Sequence, residues 1–179
     1  MLRKLFKKML GKLNNKKTQI MDGSRVDLNT NIGDYTYIGF NCVITKSNIG
    51  KYVSIADNVT IGPGEHKLNR ISTSGLFYKN GYKEVTEDPC TIGNDVWIGV
   101  DSIILRGVTI GNGAIIGANS VVTKDIPAFA VAVGNPAKVI KYRFNKKDIA
   151  IINKSKWWEY DLNQAKKIQL KLQQKLSIK

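Results

Sequence analysis

Several things are scarce in this sequence, and each scarcity excludes something. Two cysteines, Cys42 and Cys90, in 179 residues are too few for a disulfide framework, so a reducing cytoplasm is the expected location. No run approaches the roughly 18 to 20 consecutive apolar residues that a membrane span needs, and no signal-peptide pattern opens the chain. There is one histidine, His66. Acidic residues are missing from 1–17, which hold seven basic ones, and scarce in 138–179, where twelve basic residues face three acidic. The middle of the chain therefore adds nothing to the formal net charge of +14, since 18–137 carries nine basic and eleven acidic residues. A nucleic-acid-binding domain would carry its basic face on the fold itself, often with aromatics to stack bases, and no nucleic-acid partner is expected. With 42% hydrophobic residues, the length allows one globular domain with terminal elaborations.

What is abundant is a period of six. Aliphatic residues stand at Ile20, Val26, Ile32, Ile38 and Ile44, slip by one, and resume at Ile49, Ile55 and Ile61. They return in register at Ile92, Ile98, Ile104, Ile110, Ile116 and Val122. Glycine follows most of them, as at Gly33, Gly39, Gly50, Gly62, Gly93, Gly99, Gly111 and Gly117. Four residues after an aliphatic comes a small or β-branched residue, such as Thr36, Cys42, Val53, Ser102 or Ala114. Six is the period of neither a helix nor a half-buried strand. It fits a triangular parallel β-solenoid in which each hexapeptide is one short strand and three complete a coil. The aliphatic side chain points inward, and glycine is expected to ease the bend at the corner. Roughly five coils at about 4.8 Å each give a prism about 25 Å tall.

The pattern breaks once. Ile61 and Ile92 stand 31 residues apart, an insertion of about 25 residues that opens at His66, carries Arg70, Phe77, Tyr78 and Tyr82, and closes near Cys90. Long loops in compact repeats are usually functional. The chain thus divides into a basic amphipathic segment over 1–17, a β-helix over 18–137 with its insertion at about 66–90, and a helical extension over 138–179.

The chain resembles the hexapeptide-repeat acyltransferases, and within them the branch of xenobiotic acetyltransferases and of O-acetyltransferases acting on capsule and O-antigen sugars. The resemblance is carried by Gly33-Asp34-Tyr35-Thr36-Tyr37-Ile38, Ile49-Gly50-Lys51-Tyr52-Val53-Ser54-Ile55 and Ile61-Gly62-Pro63-Gly64-Glu65-His66. It continues in Ile92-Gly93-Asn94-Asp95-Val96-Trp97-Ile98-Gly99, Val121-Val122-Thr123-Lys124-Asp125-Ile126-Pro127, Gly134-Asn135-Pro136-Ala137-Lys138 and Trp157-Trp158-Glu159-Tyr160, covering about 20–162. It implies a left-handed winding, opposite to the general rule for parallel crossovers. It also implies a homotrimer with its active sites between subunits, an inserted loop that walls the active site, and acetyl-CoA as co-substrate.

Transfer of an acetyl group from a thioester to an alcohol needs a base for the hydroxyl proton, a donor for the developing oxyanion and two substrates held in line. Histidine suits the first task, and the resemblance gives that role to His66. It places Trp97 beside the pantetheine channel, Val100, Ala118 and Thr123 along the cofactor, and Lys124, Lys138 and Lys141 near its phosphates. Trp97 as edge packing and the lysines as solvated surface remain alternatives. Tyr35, Tyr37 and Asn41, one coil below His66, are candidates to face the acceptor. A buried Cys42 is inert, so direct transfer without an acyl-enzyme is expected. No metal is expected, since the related carbonic anhydrases need three histidines for zinc. The sequence departs from the family on the acceptor side: Lys67 stands where proline often follows the histidine, and Ser72-Thr73-Ser74-Gly75 replaces a Ser-Thr-His-Pro stretch. The reading is a sugar O-acetyltransferase working on a cell-surface polysaccharide precursor. The alternatives are an antibiotic O-acetyltransferase, an amino-sugar N-acetyltransferase and, from another class, a non-catalytic assembly module.

The flanks carry their own expectations. Leu2, Leu5, Phe6, Met9, Leu10 and Leu13 lie at helical spacing among Arg3, Lys4, Lys7, Lys8 and Lys12, either packing on the body or contacting anionic lipid through residues 1–13. Asn145 caps a helix with Asp148 at the capping-box position. Trp157 and Trp158 dock the tail on the prism, and 163–179 reads as an exposed amphipathic helix.

Overall fold

A computed structural model describes residues 17–177, so the segment read over 1–13 lies outside the described residues. The chain winds as a left-handed parallel β-helix of about six turns. Face A stacks Gln19–Ile20, Tyr37–Ile38, Ser54–Ile55, Trp97–Ile98, Ile115–Ile116 and Ala130–Gly134. Face B stacks Arg25–Val26, Val43–Ile44, Thr60–Ile61, Ile103–Ile104 and Val121–Val122. Face C stacks Asn31–Ile32, Ser47–Ile49, Cys90–Ile92 and Thr109–Ile110, with Ile126 bridging to Ile110. Register follows the repeat. Paired residues are 18 apart where the hexads run unbroken, as Gln19 with Tyr37, and 17 apart across the slip, as Asn31 with Asn48. They are 43 apart across the insertion, as Ser54 with Trp97, so about 25 residues leave the prism and return in register.

Each hexad buries two side chains. Ile38, Ile55, Ile98 and Ile116 form one internal column and Ile44, Ile61, Ile104 and Val122 another, all fully buried. Burying an isoleucine contributes roughly 1.5 to 3 kcal/mol, so these columns dominate stability. The second inward residue is small because the corner leaves little room, and several of the polar ones close a hydrogen bond to the coil above. The hydroxyls of Ser24, Thr36 and Ser102 donate to the carbonyls of Gly39, Gly50 and Gly117 at 2.7, 2.9 and 3.0 Å. The Cys42 and Cys90 thiols donate in the same way to Ala56 and Leu105 at 3.1 and 3.2 Å.

The glycines have a different cause from the one the sequence suggested. Apart from Gly62, those following the aliphatic residues do not have positive φ. They are small because the next coil lies directly over them: a Cβ on Gly50 would meet the Gly93 carbonyl carbon at 2.7 Å. The left-handed corner residues come two positions later, as Asn41, Asn58, Asp101 and Asn119 with φ of 55° to 59°. Asparagine and aspartate tolerate that region best after glycine.

The end of the prism also differs from expectation. Ala137–Tyr142 is a strand that returns antiparallel along Ala130–Gly134, so the helical extension begins only at α2, Lys146–Ser155. Asn145 caps α2 as expected, its Oδ1 accepting from the Asp148 N–H at 2.9 Å. Trp157 and Trp158 are buried and lead to α3, Leu162–Leu176. This helix is exposed on one face only; Ala165 is buried, and Ile168, Leu172 and Leu176 pack with Ile152, Phe129 and Trp157. The docking place is the corner between faces C and A. There Tyr52 stacks on Tyr35 at 4.7 Å and meets Trp157 at 5.1 Å, and its hydroxyl donates to the Tyr160 carbonyl at 2.8 Å. Burial, helped by Tyr35, Asp161 and Asp34, pushes the Tyr52 hydroxyl up to about 12.

Candidate active site

His66 stands four residues after Gly62, where the chain leaves the corner between faces B and C. Gly62 has φ +63°, and a Cβ there would lie 2.8 Å from both the Arg106 guanidinium and the Thr45 carbonyl, so glycine alone fits. Arg106 holds the two ends of the insertion together. Its Nε donates to the Pro63 carbonyl at 3.4 Å, and Nη1 donates to the carbonyls of Thr45, Lys46 and Asp88 at 3.1, 3.2 and 3.3 Å. Nη2 donates to the Thr45 hydroxyl at 2.6 Å, and the Arg106 N–H donates to the Glu65 carboxylate at 3.0 Å. The residue before His66 is therefore held from the next coil, and its own N–H bonds to the Val85 carbonyl at 2.9 Å.

The insertion has a small interior of its own. Tyr78 is buried; its hydroxyl accepts from the Lys67 N–H at 2.9 Å and its ring lies 5.7 Å from the exposed His66 imidazole. Arg70 lies over the Tyr78 ring at 4.5 Å and pairs with Glu84 at 2.5 Å. A short helix, α1 over Gly81–Val85, is capped by Asn80. It carries Tyr82 down to the first coil, where its hydroxyl bonds to the Asp27 carboxylate. Burial raises the Asp27 carboxyl, but the donors from Tyr82, Thr30 and Lys46 together outweigh it and leave the group below its ordinary value. His66 is thus an exposed imidazole on a rigid base.

Most of the residues expected at the cofactor collect elsewhere, on the upper part of face A and its corner with face B. Outward side chains form a ladder from Ser54 through Trp97, Ile115 and Val131 to Lys141, which pair in that order across adjacent strands. Trp97 is 55% exposed. Beside the ladder runs a flat strip: a Cβ on Gly99 would strike the Ala118 nitrogen at 2.6 Å, and one on Gly117 would strike the Val133 side chain at 2.6 Å. Val100 and Ala118 edge the strip, and Lys138 pairs with Val133 at its top. An apolar track with an aromatic low on it and two lysines at its end offers contact to an extended apolar arm and then to phosphate. Tyr37 lies on the same face below Trp97, and Asn41 on the neighbouring corner.

Three expected residues lie apart. Thr123 and Lys124 sit on the corner between faces B and C, in a cleft with Arg106, Gly107 and Asp88 above the insertion. Tyr35 is not brought to His66 within one chain; it belongs to the opposite corner, stacked on Tyr52 beneath the docked tail. Burial pushes the thiols of Cys42 and Cys90 up, which disfavours the thiolate a nucleophile would need. Sequence reasoning missed Arg106. The available signal was a lone arginine at the corner of the first full coil after the insertion, in a body that is otherwise nearly neutral.

Residues 89–124 match the model of the bacterial transferase hexapeptide family (six repeats). A chloramphenicol acetyltransferase of Agrobacterium fabrum is 37% identical over 131 residues, covering 66% of this chain and 62% of that protein. The chain thus spans less than two thirds of that relative's length. The structure of a maltose O-acetyltransferase from Clostridium difficile 630 is 33% identical, covering 78% of this chain and 75% of that one, with a TM-score of 0.63. A hexapeptide-repeat-containing acetyltransferase of Vibrio cholerae, solved with acetyl coenzyme A, is 27% identical over 72% of this chain and 66% of that one, with a TM-score of 0.55. Fold, repeat and comparisons agree that the chain belongs to the hexapeptide-repeat transferase family.

Proposed function

We propose that the protein moves the acetyl group of acetyl-CoA to a hydroxyl of a sugar, a precursor of a cell-surface polysaccharide. The observation that carries this reading is the separation of two half-sites. His66, on its clamped base, occupies one corner of the prism, and the track from Trp97 to Lys141 lies on face A. A second copy brings the His66 corner of one subunit against the face A track of the next. Closed three-fold symmetry satisfies that repeated heterologous contact in every subunit, so the active form is a homotrimer. The His66 imidazole takes the proton of the acceptor hydroxyl as its oxygen attacks the thioester carbonyl. The carbon–sulfur bond then breaks, and the coenzyme A thiolate recovers the proton from the imidazolium. Tyr37 and Asn41 face the acceptor. Trp97, Val100, Ala118, Lys138 and Lys141 hold the cofactor from one subunit, and Thr123 and Lys124 from the corner above the insertion.

Similarity to a maltose O-acetyltransferase supports the sugar. An antibiotic acceptor is the second reading, favoured by similarity to a chloramphenicol acetyltransferase and by the insertion itself, which exposes Leu68, Ile71, Leu76 and Phe77. An amphiphilic drug would cover such apolar surface. Among the described residues no helix is long and apolar enough to cross a membrane. A cytoplasmic enzyme whose residues 1–13 touch the anionic inner leaflet would meet lipid-linked sugars there. The test is incubation with acetyl-CoA and a library of sugars, nucleotide sugars and hydroxylated antibiotics, following thiol release and the mass increase of one acetyl group. Acetylation of amines alone, or no thiol release with any acceptor, would sink the proposal.

A further inference from the structure

Positive charge is segregated in this molecule, and its described part has a definite shape. Residues 138–177 carry eleven basic and three acidic side chains, whereas 18–137 has two more acidic than basic. The three carboxylates are already engaged. Asp148 accepts from the Asn145 amide at 2.7 Å, Asp161 caps α3 by accepting from the N–H groups of Asn163 and Gln164, and Glu159 lies 3.7 Å from Lys156. Because α3 turns Ala165, Ile168, Leu172 and Leu176 toward the prism, the helical period turns Lys166, Lys167, Lys171 and Lys175 to solvent. Among the described residues none of these four lysines has a carboxylate within 4.0 Å. In their midst stands Leu170, 59% exposed, with Leu162 also exposed at the start of the helix.

We propose that the outward face of α3 is a docking surface for an anionic lipid bilayer, its lysines on the headgroup phosphates and Leu170 at the acyl boundary. Charge alone would suit any polyanion. The apolar residue among the lysines selects a bilayer, because a soluble polyanion has nothing to offer a leucine, whereas an interfacial helix buries it. The surface stays free in the proposed trimer, since α3 docks on the corner between faces C and A, which carries neither half-site. The inference rests on fold and charge, not on the acceptor, and it is separate from any contact made by residues 1–13.

The experiment uses the full-length protein with vesicles of phosphatidylglycerol and phosphatidylcholine in equal parts, and of phosphatidylcholine alone. The wild type is expected to sediment with the first, less so as salt rises, and not with the second. Each lysine near an anionic surface contributes about fivefold, so K166Q/K167Q/K171Q/K175Q should lower partitioning at least tenfold even with other basic residues present. Glutamine keeps helix propensity, and circular dichroism with an unchanged oligomer mass verifies folding. Leu170→Gln should weaken vesicle binding several-fold while leaving retention on heparin unchanged. If the quadruple variant sediments like the wild type, the contact lies elsewhere and the proposal is overturned. It is also overturned if Leu170→Gln binds vesicles as the wild type does, which would make the surface a site for soluble polyanions. Thiol release with a soluble acceptor, measured on the same samples, reports on the catalytic reading independently.

Discussion

Arg106 clamps the corner from which the chain leads into His66, and its removal has a size that can be worked out. Arg106→Ala deletes guanidinium bonds to the carbonyls of Pro63, Thr45, Lys46 and Asp88 and to the Thr45 hydroxyl, at 2.6 to 3.4 Å. A bond from a charged donor contributes about 1.5 to 3 kcal/mol when geometry is good. Here three of them share one nitrogen, most are long, and the half-buried site lets water reach part of the corner. The summed loss should be about 2 to 4 kcal/mol, seen as a fall in Tm of about 5 to 15 °C by scanning calorimetry. Turnover should fall further than stability explains, because Pro63 and Glu65 lead directly into His66 and a displacement of about 1 Å can cost about 100-fold. Arg106→Lys keeps the charge without the planar fork and should land between the two. The reasoning is refuted if Arg106→Ala melts within about 2 °C of the wild type and keeps turnover within about threefold. The anchor of Tyr82 on Asp27 would then hold the insertion by itself.

Three further outcomes follow from the packing. Gly50→Ala sets a Cβ 2.7 Å from backbone atoms of Gly93, which no rotamer can relieve, and should cost about 3 kcal/mol or more in denaturant unfolding. Gly81→Ala, with nothing within 4 Å, should be neutral or slightly stabilising. Tyr52, raised from 10.0 to about 12, has a folded value above its unfolded one. Its contribution to tail docking is therefore complete below pH 10 and lost as pH rises through about 12. Tyrosinate absorbance of the wild type minus that of Tyr52→Phe should show one late ionisation; an ordinary one would mean that the tail is not docked on this corner.

Much of this fold is legible in the sequence, because one period reports one physical fact repeated many times. Ile38, Ile55, Ile98 and Ile116 had to face inward, and the small residues beside them, from Thr36 to Ser120, had to sit where the corner narrows. The reason for the glycines was not legible. The local sequence shows Gly50 but not that Gly93 lies above it, 43 residues on. Arg106 escaped for the same cause, since its partners at Thr45 and Lys46 are 61 and 60 residues away. Tyr35 shows the limit of reading by adjacency. It is two residues from Tyr37, yet the corner turns it to a different side, where the tail covers it. The strand over 137–142 is not announced by the sequence, because nearly all of its side chains are exposed and no alternation of buried and exposed residues marks it. Among the candidate site residues, His66 stands out as the single histidine at the break in the repeat, and topology places Trp97, Val100, Ala118, Lys138 and Lys141 on one surface.

The role of His66 is the point on which the functional account stands, and one variant addresses it. His66→Ala removes an exposed ring that contributes nothing to the prism's core, so the oligomer mass should be unchanged. The proposed cofactor contacts all lie away from His66, on the track from Trp97 to Lys141 and at Thr123 and Lys124, so acetyl-CoA affinity by calorimetry should stay within about twofold, a free-energy change well under 1 kcal/mol. Loss of a general base should lower kcat by about 10² to 10⁴-fold, or roughly 3 to 5 kcal/mol of barrier. Steady-state turnover of the alanine variant on its acceptor, beside the binding isotherm, is the measurement. A fall of that size with intact binding is the predicted result; retention of more than about a tenth of wild-type kcat would contradict the account.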